Sequence, residues 1–249
     1  MRADSVIVCE APAAAMAAAG ERFVTLVREG VAKRGCARIA LAGGRTPEAV
    51  YRLLAEPPYR ERVDWARVEV FWGDERCVSP DHADSNYRMA LEALISRVPV
   101  PATHIHRMRG EVDPTAAAQE YERTLRTVFG ETGDGPPRFD LILLGLGPDG
   151  HTALLFPGTP VVREAAQWVA AAWVARFETW RLTLTPPVLN AARHVLFLVA
   201  GADKTETVRA VLEGPLDPDR LPAQIVRPSE GRVEWILDRE AGSRLGSSF

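Results

Sequence analysis

The feature that most constrains this fold is the alternation, along the whole chain, of short β-branched runs with longer segments of helical period. Strands that alternate with helices pair in parallel, because each helix carries the chain back across the sheet. The runs that we predict as strands are 6–9, 37–41, 68–72, 139–144, 168–174, 195–200 and 233–237. The segments that we predict as helices are 13–33, 47–55, 86–97, 115–129, 186–192 and 204–213. We therefore expect one α/β domain over residues 1–249, with a Rossmann-like, mostly parallel sheet and helices on both faces.

Composition narrows the class of partner. A formal charge of −3 argues against nucleic acid and against anionic membrane surfaces, because both require concentrated Lys and Arg. No run approaches the roughly 20 apolar residues that span a bilayer, so we expect no membrane segment. The three cysteines form no C-x-x-C pair, which favours a reducing cytoplasm. We expect a cytoplasmic monomer that acts on a small molecule.

Ligands of open α/β sheets bind beyond the carboxyl ends of strands, so a binding site is expected in the loops there. After strand 37–41 the chain reads AGGRTP, in which Gly43 and Gly44 allow close approach of the backbone. We predict Thr46 as helix N-cap and Pro47 as the first helical residue, which directs free amides at an anion. A tight turn without a ligand is the alternative, and Arg45 favours phosphate.

Two further loops carry charge at strand ends. Asp74 and Arg76 follow strand 68–72, where a solvated charge run is the alternative to a binding cluster. Lys204 follows strand 195–200 and opens a helix, where a cation opposes the helix dipole unless an anion is bound. Arg181 is a similar but more isolated basic residue. We predict all four as substrate-binding residues, and an exposed, solvated side chain is the alternative for Lys204.

The loop after strand 139–144 reads GLGPDGHT over residues 145–152, which includes the pattern G-x-G-x-x-G. A dinucleotide site requires a long helix directly after this pattern, and Pro157, Gly158 and Pro160 prevent one. What remains is His151, with Asp149 two residues before it. Imidazole titrates near neutral pH and suits general base catalysis, so we predict His151 and Asp149 as catalytic. A structural or solvated histidine is the alternative, and the sequence leaves open whether Asp149 orients His151 or binds substrate.

The sequence lacks the residue patterns that metal binding and covalent catalysis require. His104 and His106 have no further partner at zinc-site spacing, so we predict no metal. There is no G-x-S-x-G elbow and no cysteine with an identifiable histidine partner, which disfavours covalent catalysis. We predict no cofactor.

Taken together, the loops resemble the 6-phosphogluconolactonase family, which shares its fold with glucosamine-6-phosphate deaminases. The segments that carry the resemblance are LAGGRTPEAVY, FWGDER, HADSNY, LGLGPDGHTALLFPG, RLTLTPPVLNAARHVLFLVAGADK and LPAQIVRPSEGRVEWILD. The resemblance implies that His151 activates the water that attacks a lactone carbonyl. It also implies that a sugar phosphate is held, chiefly through its phosphate, by Gly43, Gly44, Thr46, Arg76 and Lys204, with Arg181 nearby.

The sequence departs from the family pattern at three positions. Ala42 and Arg45 stand where serines often flank the glycine pair, and Leu154 stands where a serine is common. Two alternatives stay open: a deaminase of amino-sugar phosphates, and a sugar-phosphate sensor without activity. Asp74-Glu75-Arg76 instead of Asp-Glu-Tyr, together with the residues after His151, favours the lactonase over the deaminase. Retention of Asp149 and His151 weakens the sensor.

Overall fold

The computed structural model describes residues 3–130 and 135–246. The strands in these ranges are β1 Ser5–Cys9, β2 Ala37–Leu41, β3 Val68–Trp72, β4 Asp74–Arg76, β5 Ile105–His106, β6 Leu141–Leu144, β7 Val169–Val174, β8 Thr179–Leu184, β9 His194–Val199 and β10 Arg232–Asp238. The α-helices are α1 Pro12–Arg34, α2 Arg45–Leu54, α3 Asn86–Ala93, α4 Pro114–Phe129, α5 Pro186–Ala191, α6 Thr205–Glu213 and α7 Arg239–Gly242. Each predicted helix and strand has a counterpart, although their ends differ by up to four residues.

The main sheet has seven strands in the order β1-β10-β9-β6-β2-β3-β5, and every neighbouring pair is parallel. Because parallel strands need crossover connections, the intervening helices must lie on the faces of the sheet. The predicted mostly parallel α/β fold is confirmed.

Side chains that alternate along the strands divide the core into two layers. On β2, Ile39 and Leu41 pack in one cluster with residues of α1, α2 and α3. Ala40 lies in the other cluster, which contains residues of α4, α5 and α6. The same period of two places Leu141 in the first cluster and Ile142 in the second, as expected for strands that point successive side chains to opposite faces. Both faces are therefore covered.

A second, three-stranded antiparallel sheet has the order β4-β8-β7. The predicted strand 168–174 belongs here, so the expectation that it continues the series of parallel β-α units is wrong. Its partner β8 and the short β4 were not predicted. This sheet brings β4, which directly follows the parallel strand β3, into contact with Arg181 on β8.

The carboxyl ends of four neighbouring parallel strands meet at one edge of the main sheet. Leu41 of β2 lies beside Trp72 of β3, and Leu144 of β6 lies beside Phe197 of β9. The backbone N–H of Gly73 donates to the carbonyl of Leu41 across 2.9 Å, which ties two of the following loops together. All four loops with predicted chemistry therefore converge.

Within the described ranges, no helix combines the length and apolar character needed to cross a bilayer.

Candidate active site

The four loops enclose a pocket of about 280 Å³ at the carboxyl edge of the main sheet. The predicted site residues that line it are Gly43, Gly44, Arg45, Thr46, Asp74, Arg76, His151, Arg181 and Lys204. Asp149 is the exception, because it contacts His151 from behind the pocket wall. Residues far apart in the sequence thus share one cavity with several cationic side chains.

The glycine loop enters α2 earlier than predicted. Helix α2 begins at Arg45 with Gly44 as N-cap, so the assignments of Thr46 as N-cap and of Pro47 as first helical residue are wrong. Gly44 has φ of 101°, a conformation that glycine adopts without steric cost and that lets the chain turn directly into the helix. The backbone N–H groups of Arg45 and Thr46 have no acceptor inside the helix, and both residues line the pocket. Pro47 has no N–H, and Glu48 already donates to the carbonyl of Gly44 across 3.0 Å.

Asn86, which the sequence reasoning missed, explains why residue 43 is glycine. A Cβ at Gly43 would lie 2.0 Å from Oδ1 of Asn86. Nδ2 of Asn86 donates to the carbonyl of Asp74 across 2.9 Å and to its Oδ2 across 3.0 Å. Asn86 therefore locks the glycine loop to the strand end that carries Asp74. The sequence signal that could have identified Asn86 is its position in the first turn of a predicted helix, shortly after an acidic cluster.

Glu75 is buried and performs a structural task. Its carboxylate accepts hydrogen bonds from the backbone N–H groups of Arg76, Asn86 and Tyr87, each at 2.8 Å. Burial raises the pKa of Glu75 despite these hydrogen bonds. The carboxylate anchors the start of α3 next to β4, so it is not free to bind a ligand.

Arg76 and Arg181 lie opposite each other on β4 and β8. Their Nε atoms are buried and have no hydrogen-bond partner in the described part of the chain, although Nη1 of Arg76 donates to the backbone carbonyl of Asp84. Burial, followed by the charge of Arg76, lowers the pKa of Arg181. Asp74 lines the same pocket, and burial raises its pKa against the opposing effect of the two arginines. An anion placed between the arginines would relieve their repulsion.

Lys204 is the N-cap residue of α6, as predicted, and lines the same pocket as the glycine loop. Its Nζ lies 3.1 Å from Oδ2 of Asp203, a residue that is itself largely exposed. The ammonium group is therefore held at the pocket wall beside the positive end of a helix, which favours an anionic ligand.

His151 is oriented by Asp149. Nδ1 of His151 lies 2.5 Å from Oδ1 of Asp149, and because a carboxylate only accepts hydrogen bonds, Nδ1 carries the proton. Burial alone would raise the pKa of Asp149, but the hydrogen bond from His151 and its charge lower that pKa to about 2. Asp149 is thus ionised at neutral pH. Because Nδ1 of His151 carries a proton, Nε2 is the ring nitrogen that can act as a base.

Two further residues fix the histidine. The ring of Phe156 stacks on His151 with centroids 4.1 Å apart. A Cβ at Gly147 would lie 1.9 Å from Nδ1 of His151, so only glycine leaves room for the pair. Gly147, the second glycine of the G-x-G-x-x-G pattern, therefore leaves the space that the side chains of His151 and Asp149 occupy. The loop leads into no α-helix, since the next helical turn is the short 3₁₀ segment Pro160–Arg163, and the dinucleotide alternative is excluded on that geometry.

Comparisons with known proteins agree with this site. The family model for glucosamine-6-phosphate isomerases/6-phosphogluconolactonase matches residues 10–235. A 6-phosphogluconolactonase of Synechocystis sp. is 43% identical over 222 residues, which cover 89% of this chain and 90% of the relative. A probable chloroplastic 6-phosphogluconolactonase 3 of Oryza sativa subsp. indica is 41% identical over 227 residues, which cover 88% of this chain and 69% of the relative.

A solved structure is similar over the full length. The 6-phosphogluconolactonase from Leishmania guyanensis superposes with a TM-score of 0.85 at 31% identity, covering 99% of this chain and 100% of that one. The similarity therefore extends over the glycine loop, both sheets and the histidine loop. This chain belongs to the glucosamine-6-phosphate isomerase/6-phosphogluconolactonase family.

Proposed function

We propose that this chain hydrolyses 6-phospho-D-glucono-1,5-lactone to 6-phospho-D-gluconate, the second step of the oxidative pentose phosphate pathway. The observation that carries the proposal is the hydrogen bond of His151 Nδ1 to Asp149, which leaves Nε2 as the base of a pocket lined by cations. Relatives at 43% and 41% identity carry the name 6-phosphogluconolactonase.

In the proposed mechanism, Nε2 of His151 takes a proton from water while the water oxygen attacks the lactone carbonyl carbon. The negative charge of the imidazole's partner Asp149 stabilises the imidazolium that forms. When the tetrahedral intermediate collapses, the bond between the carbonyl carbon and the ring oxygen breaks. The imidazolium returns its proton to that oxygen, and the carboxylic acid product ionises. The reaction consumes one water and needs no cofactor.

The cations around the pocket suit the anionic end of the substrate. Gly43, Gly44 and Thr46 would present backbone and hydroxyl donors to the phosphate, and Arg45 adds a cation at the same helix end. Arg76, Arg181 and Lys204 would complete the binding of the anion. Asp74, which faces the same cavity, is the candidate acceptor for sugar hydroxyl groups.

We also propose that the chain works as a cytoplasmic monomer with a single domain and no nucleic-acid or membrane partner. The formal charge of −3 supports the absence of polyanionic partners. The name of the rice relative includes a chloroplast location, so the compartment needs its own test in this protein. Fractionation of the native host would test the compartment, and sedimentation would test the monomer.

The deciding experiment offers two substrates to the purified protein. We expect accelerated proton release from freshly generated 6-phosphoglucono-δ-lactone, after subtraction of the spontaneous rate, and no ammonia from glucosamine 6-phosphate. Ammonia release without lactone hydrolysis would replace the proposal by the deaminase alternative. Inactivity on both, with tight binding of sugar phosphate, would favour the sensor.

The role of His151 has a separate test. We expect His151→Ala to lower kcat by about 10²- to 10⁴-fold, the usual contribution of a general base, while KM changes less. His82→Ala is the matched control, because His82 is exposed and lies outside the pocket. Full activity of His151→Ala would remove it as base.

A further inference from the structure

The turn between β7 and β8 contacts the catalytic pair from outside the pocket. Within this turn, Arg176 and Phe177 precede Glu178, whose left-handed φ of 48° closes the turn. Nη1 of Arg176 lies 3.5 Å from Oδ2 of Asp149, while Oδ1 of Asp149 accepts the hydrogen bond from His151. One oxygen of the Asp149 carboxylate therefore faces His151, and the other faces Arg176.

Aromatic contacts hold the same turn against the site. The ring of Phe177 packs edge-on against Phe156 with centroids 5.9 Å apart, and Phe156 stacks on His151. The guanidinium of Arg181 lies over the face of Phe177, 4.6 Å from its centroid. The turn is thus joined to the base, to its carboxylate and to an arginine of the pocket, although Arg176 itself does not line the cavity.

We propose that Arg176 is a positioning residue, which holds Oδ2 of Asp149 so that Oδ1 is presented to Nδ1 of His151. By the same contact, Arg176 offsets part of the negative charge that Asp149 exerts on the imidazole. This inference rests on the proposed function of His151 as general base.

Several charged groups act on the imidazole of His151, and replacing Arg176 removes only one of them. Asp149 faces the imidazole from its own loop, and Asp74 on β4 acts on it electrostatically. The remaining charged groups around the pocket are Arg45, Arg76, Arg181, Asp203 and Lys204. Without Arg176, the charge of Asp149 acts unopposed and stabilises the protonated imidazole. The base is then lost at a higher pH than in the wild type.

The expected shift is small, because the side chain of Arg176 is 63% exposed and water screens its charge. In Arg176→Ala, the acidic limb of the kcat/KM profile should move up by about 0.2 to 0.7 pH units, and the shift should shrink at high salt. We expect kcat to fall about two- to tenfold through looser placement of Asp149. Arg176→Lys keeps the charge and should restore the wild-type limb.

Arg163→Ala is the matched control. Arg163 is also an exposed arginine that pairs with a carboxylate, Asp219, with its Nε 3.0 Å from Oδ1. It lies outside the pocket, so its removal should leave the pH profile and kcat unchanged. Thermal unfolding of all three variants would show whether any activity loss reflects stability.

A second readout does not depend on activity. Titration of the His151 side chain by ¹⁵N NMR should give a midpoint at higher pH in Arg176→Ala than in the wild type, with Arg176→Lys close to the wild type. An unchanged midpoint and an unchanged limb in Arg176→Ala would overturn the inference. If the wild type proves inactive on the lactone, the proposed function fails, and the NMR titration still decides whether Arg176 acts on the pair.

Discussion

Arg76 and Arg181 face each other directly across the antiparallel strands β4 and β8, with the Nε atom of each buried and unpaired in the described residues. Like charges in directly opposed positions destabilise a sheet, so the pair is costly in the absence of a ligand. Burial and the charge of Arg76 also lower the pKa of Arg181. The arrangement makes structural sense when an anion lies against both guanidinium groups.

Replacement of one arginine should therefore weaken substrate binding more than turnover. We expect Arg181→Gln to raise KM about 10- to 100-fold, the loss expected for hydrogen bonds to a charged group, with a smaller change in kcat. Inorganic phosphate should raise the Tm of the wild type, and Arg181→Gln should lose most of that rise. Arg163→Gln, an exposed site outside the pocket, should behave as the wild type in both measurements. An unchanged KM in Arg181→Gln would remove Arg181 from the binding residues.

Two glycines of the histidine loop give a matched pair of substitutions. In Gly147→Ala, the new Cβ would lie 1.9 Å from Nδ1 of His151 and 2.7 Å from Oδ1 of Asp149, so the pair must separate. In Gly145→Ala, the new Cβ meets no atom within 4 Å. We expect Gly147→Ala to lower kcat about 10²-fold, because small displacements of a catalytic group are costly.

Steady-state kinetics with thermal unfolding checks this pair. Gly145→Ala should retain nearly wild-type kcat, and both variants should unfold cooperatively. Equal loss of activity in the two variants would mean that the loop tolerates no side chain for reasons other than the His151–Asp149 contact.

The sequence predicts the central strands of the parallel sheet well because they are buried on both faces, whereas the two-residue edge strand β5 was not predicted. Strands 37–41 and 68–72 end at the predicted residues, because each closes on three consecutive buried apolar residues that a glycine-containing turn follows. The antiparallel sheet was not predicted from the sequence. The three residues of β4, Asp74–Arg76, carry no apolar pattern, and they form a strand only because β8 supplies the hydrogen-bonding partner. Local sequence contains no signal for such a partner.

The candidate site also contains features that the sequence predicts and features that only the folded chain reveals. Strand-end loops were found because parallel topology brings them together whatever their detailed conformation. The start of α2 was misplaced by two residues because the positive φ of Gly44 replaces a side-chain cap. Asn86 and Arg176 were missed since their contacts, with Asp74 and Asp149, depend on side-chain direction across distant segments. The spacing of Asp149 and His151 suggested a pair, and only the folded loop gives its orientation.

Glu234 provides a test of stability against pH, away from the pocket. Nε of Arg22 donates to Oε2 of Glu234 across 2.6 Å, and His194 also faces this carboxylate. Burial would raise the pKa of Glu234, but the neighbouring His194 and the hydrogen bonds from Arg22 lower it to about 2. A depressed pKa in the folded state stabilises the protein above the unfolded value, and this contribution is lost as pH falls through the folded value.

We therefore expect Glu234→Gln to lower the free energy of unfolding near pH 7 by about 1 to 3 kcal/mol, the cost of leaving the half-buried guanidinium of Arg22 without its charged partner. The difference from the wild type should shrink as pH falls from about 4.5 toward 2. Urea unfolding at several pH values measures it. Glu29→Gln is the control, since its partner Lys33 and Glu29 itself are both exposed. A difference that persists unchanged at pH values near 2 would contradict the ion-pair explanation.

Asp149→Asn tests the carboxylate that orients His151, the proposed base. Because the pKa of Asp149 is lowered to about 2, its charge is present over the whole range in which the enzyme can be assayed, and it contributes no pH limb of its own. An asparagine keeps the size of the side chain but removes the negative charge and no longer dictates which imidazole nitrogen carries the proton.

We expect kcat of Asp149→Asn to fall about 10²-fold or more, as for other histidine bases that lose their carboxylate partner. The acidic limb of kcat/KM should move down by about one pH unit or more, because the imidazolium loses an adjacent anion. Asp219→Asn, an exposed carboxylate paired with Arg163, should change neither quantity. A normal kcat in Asp149→Asn would mean that the loop backbone and Phe156 suffice to orient His151, and that the carboxylate serves stability alone.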